Sequence, residues 1–365
     1  MKKALLAAAL MSAGVIAHAQ SSVTLYGRVD AGLEYMSGLQ NGAGGSTSRW
    51  RAESGDWGTS LWGMKGVEDI GGGNQVVFKL ENGFGLMNGA AQGNLFNRWA
   101  TVGLSNANYG TFTMGRMLYI SNGVWDFDPF GQSSWSSASL VRGRNWPQSS
   151  NNFAYQSPKW GGFDFYGQYS LSNQTSWNGH STTPGAQGRE DGLQLTYTSA
   201  LFQVRGIYDE IRNPTNGTLN GADGAFSFSR EYTAAANVFL GPVKLQAAYQ
   251  AIRTSGATGI ATGTPTSLDH EWGGVTWQAT PALAAIAAVY HVNGNNGTGN
   301  ATMYTVGGTY NLSKRTLLDL QIAHVHNSNG ADFSLNATGA GASNLENPVS
   351  GHSQTGVYAG IQHSF

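Results

Sequence analysis

The side chains that could do covalent or metal chemistry are scattered along this sequence. His324 and His326 stand two residues apart, so on a strand both imidazoles would share one face, a spacing that can ligate a metal. Their outward position at the end of a predicted strand favours a surface contact instead. Ser267, His270 and His291 fall in different segments, without the sharp turn that presents a catalytic serine. Because there is also no cysteine and no phosphate-binding loop, we expect no enzyme activity, cofactor or metal.

The charged side chains follow a more regular pattern, because they recur on the polar side of alternating segments. In the first segment Val23 and Leu25 alternate with Thr24, Tyr26 and Arg28. The charged residues predicted to share a polar side are Arg28, Lys65, Lys79, Glu81 and Arg98. Opposed rows of charge across a narrow passage create a transverse field, which polar solutes cross more easily than apolar ones.

Arg98 is assigned to that side by parity, the rule that every second residue of a strand points to the same face. A cationic side chain on a lipid-facing surface costs roughly 2–4 kcal/mol at mid-membrane, so a mid-strand arginine marks the wet face. We therefore predict that Arg98 faces inward, whereas Trp99 and Thr101 do not.

Sixteen segments of alternating apolar and polar residues carry these side chains, and this periodicity is typical of strands. They are Val23–Tyr35, Leu61–Glu68, Gln75–Glu81, Phe96–Leu104, Thr111–Leu118, Asn152–Gln156, Phe163–Leu171, Gly192–Thr198, Phe202–Ile211, Glu231–Leu240, Val243–Arg253, Glu271–Ala279, Ala282–Val292, Thr302–Asn311, Thr316–His326 and Gln354–Phe365.

The connections between these segments alternate without exception between tight and long. Gly241–Pro242 and Thr280–Pro281 are tight turns, whereas Met36–Ser60 and Tyr119–Asn151 are long loops. This asymmetry is typical of outer-membrane barrels, with short periplasmic turns and long external loops. The last strand must pair with the first to leave no open edge in lipid, and we expect the terminal Phe365 to serve as an assembly signal. The sequence therefore predicts an all-β fold, a 16-stranded antiparallel transmembrane β-barrel, wide enough for an aqueous channel.

Composition agrees with a protein that faces both lipid and water. The chain has 52 glycines and 41 aromatic residues, yet only 11% charged residues, where soluble proteins carry about 25%. The mean hydropathy of −0.26 fits strands that turn one face to each solvent. The near balance of 20 basic and 21 acidic residues argues against a nucleic-acid partner.

The first nineteen residues have the layout of a secretory signal peptide. Lys2 and Lys3 precede the apolar run Ala4–Ile16, and Ala17-His18-Ala19 forms a small-x-small cleavage site. We expect residues 1–19 to be removed and residues 20–365 to form one barrel domain in the bacterial outer membrane, without disulfides.

Several motifs, in order and over essentially the whole mature length, resemble those of Gram-negative general porins of the β-proteobacterial type. They are Val23-Thr-Leu-Tyr-Gly-Arg-Val-Asp30, Gly63-Met-Lys-Gly-Val-Glu-Asp-Ile-Gly71, Asn97-Arg-Trp-Ala-Thr-Val-Gly-Leu104, Tyr109-Gly-Thr-Phe-Thr-Met-Gly-Arg116, Leu312-Ser-Lys-Arg-Thr316 and Ala359-Gly-Ile-Gln-His-Ser-Phe365. The resemblance implies a homotrimer of water-filled channels, each narrowed by a third loop that folds into the lumen.

The resemblance also implies roles for individual residues. By position Arg28, Lys65 and Arg98 match the basic ladder of such porins, and Asp126 and Asp128 match the acidic tip of the third loop. Two arginines of the pattern are missing, since this chain has Leu61 and Gln148 there. Arg142 and Arg144 could fill the gap from the third loop, or could lie on an exposed loop surface. We expect weak ion selectivity and leave its sign open.

Three tryptophans of the third loop leave a second function open. Trp125, Trp135 and Trp146 could stack on sugars in a carbohydrate-preferring channel, or could fix the loop to the wall or meet a neighbouring subunit. The leading hypothesis is passive diffusion of small hydrophilic solutes and ions, in contact with outer-membrane lipid and lipopolysaccharide. A barrel enzyme or adhesin is the remaining alternative, and it would require a serine–histidine pair that the sequence does not provide.

Overall fold

The described part of the chain is almost entirely β-sheet. The structure is a computed structural model, and it describes residues 22–171, 175–177, 188–256, 261–337 and 345–365. The predicted signal peptide lies outside these residues. No helix in the described ranges is long and apolar enough to cross a membrane.

Seventeen strands of the described residues join in one antiparallel sheet. They are β1 (Ser22–Gln40), β2 (Ser46–Ser54), β3 (Leu61–Gly71), β4 (Asn74–Gly83), β5 (Trp99–Asn106), β6 (Gly110–Leu118), β7 (Gln148–Gln156), β8 (Phe163–Ser170), β9 (Glu190–Thr198), β10 (Phe202–Ile211), β11 (Arg230–Leu240), β12 (Val243–Arg253), β13 (Ser267–Gln278), β14 (Leu283–Gly294), β15 (Gly299–Asn311), β16 (Thr316–Asn327) and β17 (Gln354–Ser364).

The sheet closes on itself because β1 pairs with β17, from Arg28 opposite Ser364 to Ser37 opposite Thr355. Beyond the last strand, the backbones of Gly27 and Phe365 exchange two hydrogen bonds of 3.0 Å each. Gly27 also allows the terminal ring to approach closely, since a Cβ built there would lie 2.2 Å from its nearest atom. The predicted closed barrel is confirmed, because the first strand and the last strand pair and so leave neither edge open to lipid.

Strand β2 was not predicted, and it lies inside the first long connection. It pairs with the upper part of β1, from Ala31 to Gln40, while β3 pairs with the lower part, from Ser22 to Arg28. The two strands therefore share one position around the barrel, which keeps sixteen positions. Polar residues on both of its faces hide β2 from a search for alternating apolar residues.

Successive side chains of each barrel strand point alternately to the outer and the inner surface of the barrel. On β16 the side chains of Leu318, Leu320 and Ile322 are exposed, whereas Asp319 and Gln321 between them are buried. The exposed apolar series continues around the barrel and faces lipid, and the polar series faces the interior.

Two long loops pack against the inner face. Residues 119–147, hereafter L3, contain a 3₁₀ helix (Ile120–Phe127) and one turn of α-helix (Ser137–Leu140). The described residues of the connection 328–353, hereafter L8, bring Phe333 and Leu335 to the same apolar cluster. The apolar core therefore lies between these loops and the inner wall.

Candidate functional site

The predicted basic wall assembles on β1, β3 and β4 and at the start of β5. Glu81 is its central carboxylate: Lys79 Nζ lies 3.2 Å from Oε2 and Arg98 Nε lies 2.8 Å from Oε1. The Tyr26 hydroxyl donates to the same Oε2 at 2.9 Å. Lys65 and Lys79 stand directly opposite each other across β3 and β4. Four of the five predicted residues thus meet on one face, because parity aligns them.

Arg28 completes this wall without a carboxylate partner among the hydrogen bonds and ion pairs of the described residues. Its Nε donates to the carbonyl oxygen of Thr59 at 3.0 Å, and its Nη2 donates to Gln132 Oε1 of L3 at 3.1 Å. Lys65 Nζ lies 5.4 Å from the centre of the Tyr26 ring, a cation–π contact. The wall therefore carries four cations, of which Glu81 pairs with Lys79 and Arg98.

Arg98 reaches the wall as predicted, but Trp99 and Thr101 also face inward, contrary to the prediction. Trp99 stands opposite Glu81, and Thr101 stands opposite Lys79, so both face inward with those residues. Arg98 precedes the first residue of β5, where strand alternation does not apply, and its guanidinium folds back onto Glu81.

L3 meets the opposite wall through the backbone and side chain of Asp126. Its carboxylate lies 2.6 Å from Arg205 Nη1 on β10 and keeps 62% of its side chain exposed. Its carbonyl oxygen accepts hydrogen bonds from Asn237, Lys244 and Gln246, at 3.1–3.2 Å. The predicted tip residue therefore contacts three neighbouring strands, β10 to β12. Sequence reasoning missed Arg205 and Lys244, although their inward parity could have revealed them.

Asp128 differs from its predicted role at the lumen, because it is buried behind L3. Its Oδ1 accepts from the Tyr290 hydroxyl at 2.6 Å, and its Oδ2 accepts from the Ser137 backbone N–H at 2.8 Å. Burial raises the pKa of this carboxyl above its ordinary value, which these hydrogen bonds only partly offset. Asp128 fixes the conformation of L3 and adds no accessible charge.

Arg142 and Arg144 do not replace the missing wall arginines. Arg144 is buried, with Nη2 2.6 Å from Asp209 on β10, whereas Leu61 and Gln148 lie on β3 and β7. Burial lowers its pKa, but Asp209 and a second carboxylate outweigh this and hold the pKa above its ordinary value. The charge of Arg144 is thus neutralised by its partners.

Those partners explain why neither arginine is free to face a solute. Arg142 bridges Asp223 at 3.3 Å and Asp332 at 2.9 Å, tying L3 to two other loops. Leu61 stands opposite Arg28 on the neighbouring strand, so the basic ladder keeps its gap there.

The three loop tryptophans fall into different surroundings. Trp135 is 1% exposed and packs against Gly356 and Leu335, so its ring cannot stack on a solute, contrary to that hypothesis. Trp125 and Trp146 are partly exposed and line a cavity of about 560 Å³. The stacking hypothesis is left with two rings.

The same cavity borders a charged network on β1, β2 and the adjoining loops that sequence reasoning missed. Arg51 Nε lies 2.7 Å from Glu34 of β1, and Arg49 pairs with Glu346 of L8. Asp56 is buried beside them, and burial together with Glu34 raises the pKa of its carboxyl well above its ordinary value. Alternation could not have found this network, since Arg49 and Arg51 lie on the unpredicted β2, and Asp56 and Glu346 lie in loops.

The outward histidines are placed as the sequence indicated. His324 and His326 are exposed on the outer face of β16, and their Nδ1 atoms contact Thr355 and Ser353. Among residues 22–171, 175–177, 188–256, 261–337 and 345–365, no group of three or more acidic or histidine side chains could hold a metal.

Comparison with known proteins agrees with this architecture. The family model described as Gram-negative porin matches residues 4–330. An outer membrane porin protein of Bordetella pertussis is 30% identical, and one of Delftia acidovorans is 29% identical, each over the full length of both chains.

Solved structures share the fold. An anion-selective porin from Comamonas acidovorans superposes with a TM-score of 0.78 at 24% identity, covering 95% of this chain and all of the other. The trimer form of OmpT from Vibrio cholerae gives 0.64 at 11% identity, covering 94% and 99%. With the family model matched over most of its length, this chain belongs to the Gram-negative porins and forms a passive diffusion channel of the bacterial outer membrane.

Proposed function

We propose that this channel conducts small hydrophilic solutes and ions with a weak preference for anions. One observation carries the proposal: the bases of the wall reach water, whereas its acids do not. Lys65 is exposed and Arg28 and Lys79 are partly exposed, while Glu81 is 5% exposed and Asp30 is fully buried. Accessible charge at a constriction sets which ions concentrate there.

The narrow point of the proposed channel lies between this wall and L3. Gln132 of L3 touches Arg28 on one side, and Asp126 touches Arg205 on the other. Asp126 is exposed but paired with Arg205, so it offsets little of the positive charge of the wall. A solute attracted by that charge passes without being held tightly, which conduction requires.

A homotrimer is the proposed assembly, with the outer face of β5 and β6 as a candidate contact. Val102, Phe112 and Met114 are exposed there, and Gly103 keeps the strands close. The OmpT structure of Vibrio cholerae that shares this fold is a trimer form. The outward Arg116 of this face binds the Asn97 carbonyl and Ser150, so it needs no partner in lipid.

Export through the N-terminal segment is proposed as well. The mature protein isolated from outer membranes would begin at Gln20, and intact-mass measurement would check it. A mass that includes residues 1–19 would contradict the proposal.

The test of ion preference is the reversal potential across a salt gradient in planar bilayers. We expect wild-type channels to favour chloride over potassium, and Arg28→Gln/Lys65→Gln to lose most of that preference. Lys314→Gln/Arg315→Gln at a tight turn removes the same charge away from the wall and is the control. Screening should weaken the preference in molar salt, where the Debye length falls to about 3 Å. Equal reversal potentials for wild type and wall variant would reject the assignment.

A further inference from the structure

A cluster of arginines lies on the lipid-facing side of β9–β11, outside the channel. The Glu210 carboxylate forms ion pairs with three of them. Arg189 Nη2 and Arg212 Nη2 lie 2.7 Å from its Oε1, and Arg230 Nε lies 3.2 Å from its Oε2. Arg189 also pairs with Asp191 at 2.5 Å. Three guanidinium groups therefore face two carboxylates, and this group of side chains, hereafter the rim cluster, has a net positive charge.

The arginines of the rim cluster keep part of their surface free. Their side chains are 33%, 26% and 37% exposed for Arg189, Arg212 and Arg230, whereas Glu210 is only 4% exposed. A guanidinium has five N–H donors in a planar fork. The two carboxylates and the Gly217 carbonyl, which accepts from Arg212 Nη1 at 3.2 Å, occupy only part of the fifteen donors of the three arginines. The remaining donors suit a phosphate, which arginine binds through paired hydrogen bonds.

Two tyrosines separate the rim cluster from the apolar surface. Tyr208 lies two residues from Glu210 on the outer face of β10, toward the middle of the membrane. Tyr232 lies two residues from Arg230 in the same direction on β11. Their ring centres lie 5.2 Å apart, and the Tyr208 hydroxyl donates to Glu210 at 3.1 Å. Tyrosines of this kind mark the membrane interface of barrels.

Below the tyrosines the outer face of the barrel carries a shallow, open groove. The groove has a volume of about 680 Å³ and is lined by small residues, Gly206, Ala234, Ala236 and Ala247, between larger apolar side chains such as Leu195. Gly206 leaves open space, since a Cβ built there would have no neighbour closer than 4.0 Å. Arg230 and Ala234 are four residues apart on one face of β11, which is roughly 13 Å at the rise of a strand.

We propose that this face binds a lipopolysaccharide molecule of the outer leaflet, with a lipid A phosphate on the rim cluster and an acyl chain in the groove. From the loop end inward, the face presents the rim cluster, then the two tyrosines and then the apolar groove. This order matches the headgroup, the interface and the hydrocarbon of a membrane leaflet. The rim cluster lies at the end of the barrel with the long loops, which faces the outside in such proteins. Next to it Arg253 is neutralised by Asp269 at 2.5 Å, so the positive end is confined to β9–β11.

The inference is tested by binding to purified protein in detergent, followed by native mass spectrometry. The probes are bis-phosphorylated lipid A, the same lipid without phosphates, and inorganic phosphate. We expect the phosphorylated lipid to bind wild type at least about tenfold more tightly than the dephosphorylated form. Inorganic phosphate alone should leave the protein unoccupied, because it lacks the acyl chain.

Arg212→Gln/Arg230→Gln should weaken lipid A binding about tenfold, while Arg189 keeps Glu210 paired. Lys314→Gln/Arg315→Gln removes the same charge from a tight turn and should bind like wild type. Gly206→Phe fills the groove and tests the acyl contact separately, with weaker binding expected. Unchanged single-channel conductance shows that each variant is folded, and it separates this result from any failure of the anion assignment.

Three results would overturn the inference. In the first, Arg212→Gln/Arg230→Gln binds lipid A as tightly as wild type does. In the second, wild type binds the two lipids equally well. In the third, inorganic phosphate alone occupies the protein.

Discussion

Glu81 is the carboxylate around which the basic wall is arranged. It is buried, and it holds Lys79, Arg98 and Tyr26 in one network. A buried carboxylate of this kind lowers the net charge of the wall and also orients the cations. Its removal should therefore affect both selectivity and stability.

Glu81→Gln should increase the anion preference of the channel and reduce the free energy of unfolding by on the order of 3 kcal/mol, because Arg98 is left without its charge partner. Reversal potential and urea unfolding measure the two effects. Glu68→Gln on the exposed side of β3 is the matched control and should change neither. An unaltered reversal potential in Glu81→Gln would show that this carboxylate is not part of the selective wall.

Asp56 gives a prediction about pH. Its pKa in the folded protein lies well above the unfolded value, because it is buried beside Glu34 and Glu53. The folded state therefore binds more protons than the unfolded state between those two values, so stability falls as pH rises through this window. Each unit by which the pKa is raised corresponds to about 1.4 kcal/mol.

Asp56→Asn removes that ionisation and should raise the unfolding midpoint at pH 7. It should also flatten the dependence of the midpoint on pH above about 4, the unfolded pKa of an aspartate. Thermal unfolding at several pH values checks this. A variant less stable than wild type at pH 7, with the same pH slope, would contradict the assignment.

At the scale of elements, L3 is held by specific hydrogen bonds. Asp128 joins the loop's own backbone to Tyr290 on β14, and Trp272 Nε1 donates to the Phe127 carbonyl at 3.0 Å. Hydrogen bonds to a charged acceptor contribute roughly 1.5–3 kcal/mol, about twice a neutral one. The loop position therefore depends more on Asp128 than on Trp272.

Asp128→Asn should loosen L3 and increase the open-channel current noise, and Tyr290→Phe should do so to a smaller extent. Trp272→Phe, which loses one neutral hydrogen bond, is the control. Single-channel recordings at constant voltage measure the noise. Equal noise in Asp128→Asn and wild type would mean that this carboxylate does not fix the loop.

The elements differ in how far their sequence predicts them. The sixteen barrel positions could be predicted, because one face of each strand must be apolar in lipid. Strand β2 could not, since its outer face carries Ser46, Ser48 and Ser54 around Trp50 and so lacks a regular apolar series. L3 has no periodicity, so the burial of Asp128 and Trp135 depended on contacts with distant strands.

At the scale of the whole molecule, the wet interior and the apolar exterior are both consequences of one alternation. The inner face collects the wall of Lys65 and Arg28, and the outer face collects leucines, tyrosines and the rim cluster. The resemblance of short motifs indicated the family, which the full-length relatives and the family model confirm. Neither alternation nor resemblance could assign Arg142 and Arg144, whose acidic partners come from remote loops and strands.

Cysteine accessibility on neighbouring residues of β3 tests this division most directly. The chain has no cysteine, so Lys65→Cys and Met64→Cys can be labelled without background. We predict that a negatively charged thiol reagent added to open channels modifies Lys65→Cys rapidly and reduces its anion preference, while Met64→Cys in lipid does not react. Modification of Met64→Cys at the faster rate, or no effect on current when Lys65→Cys reacts, would contradict a water-filled interior lined by these bases.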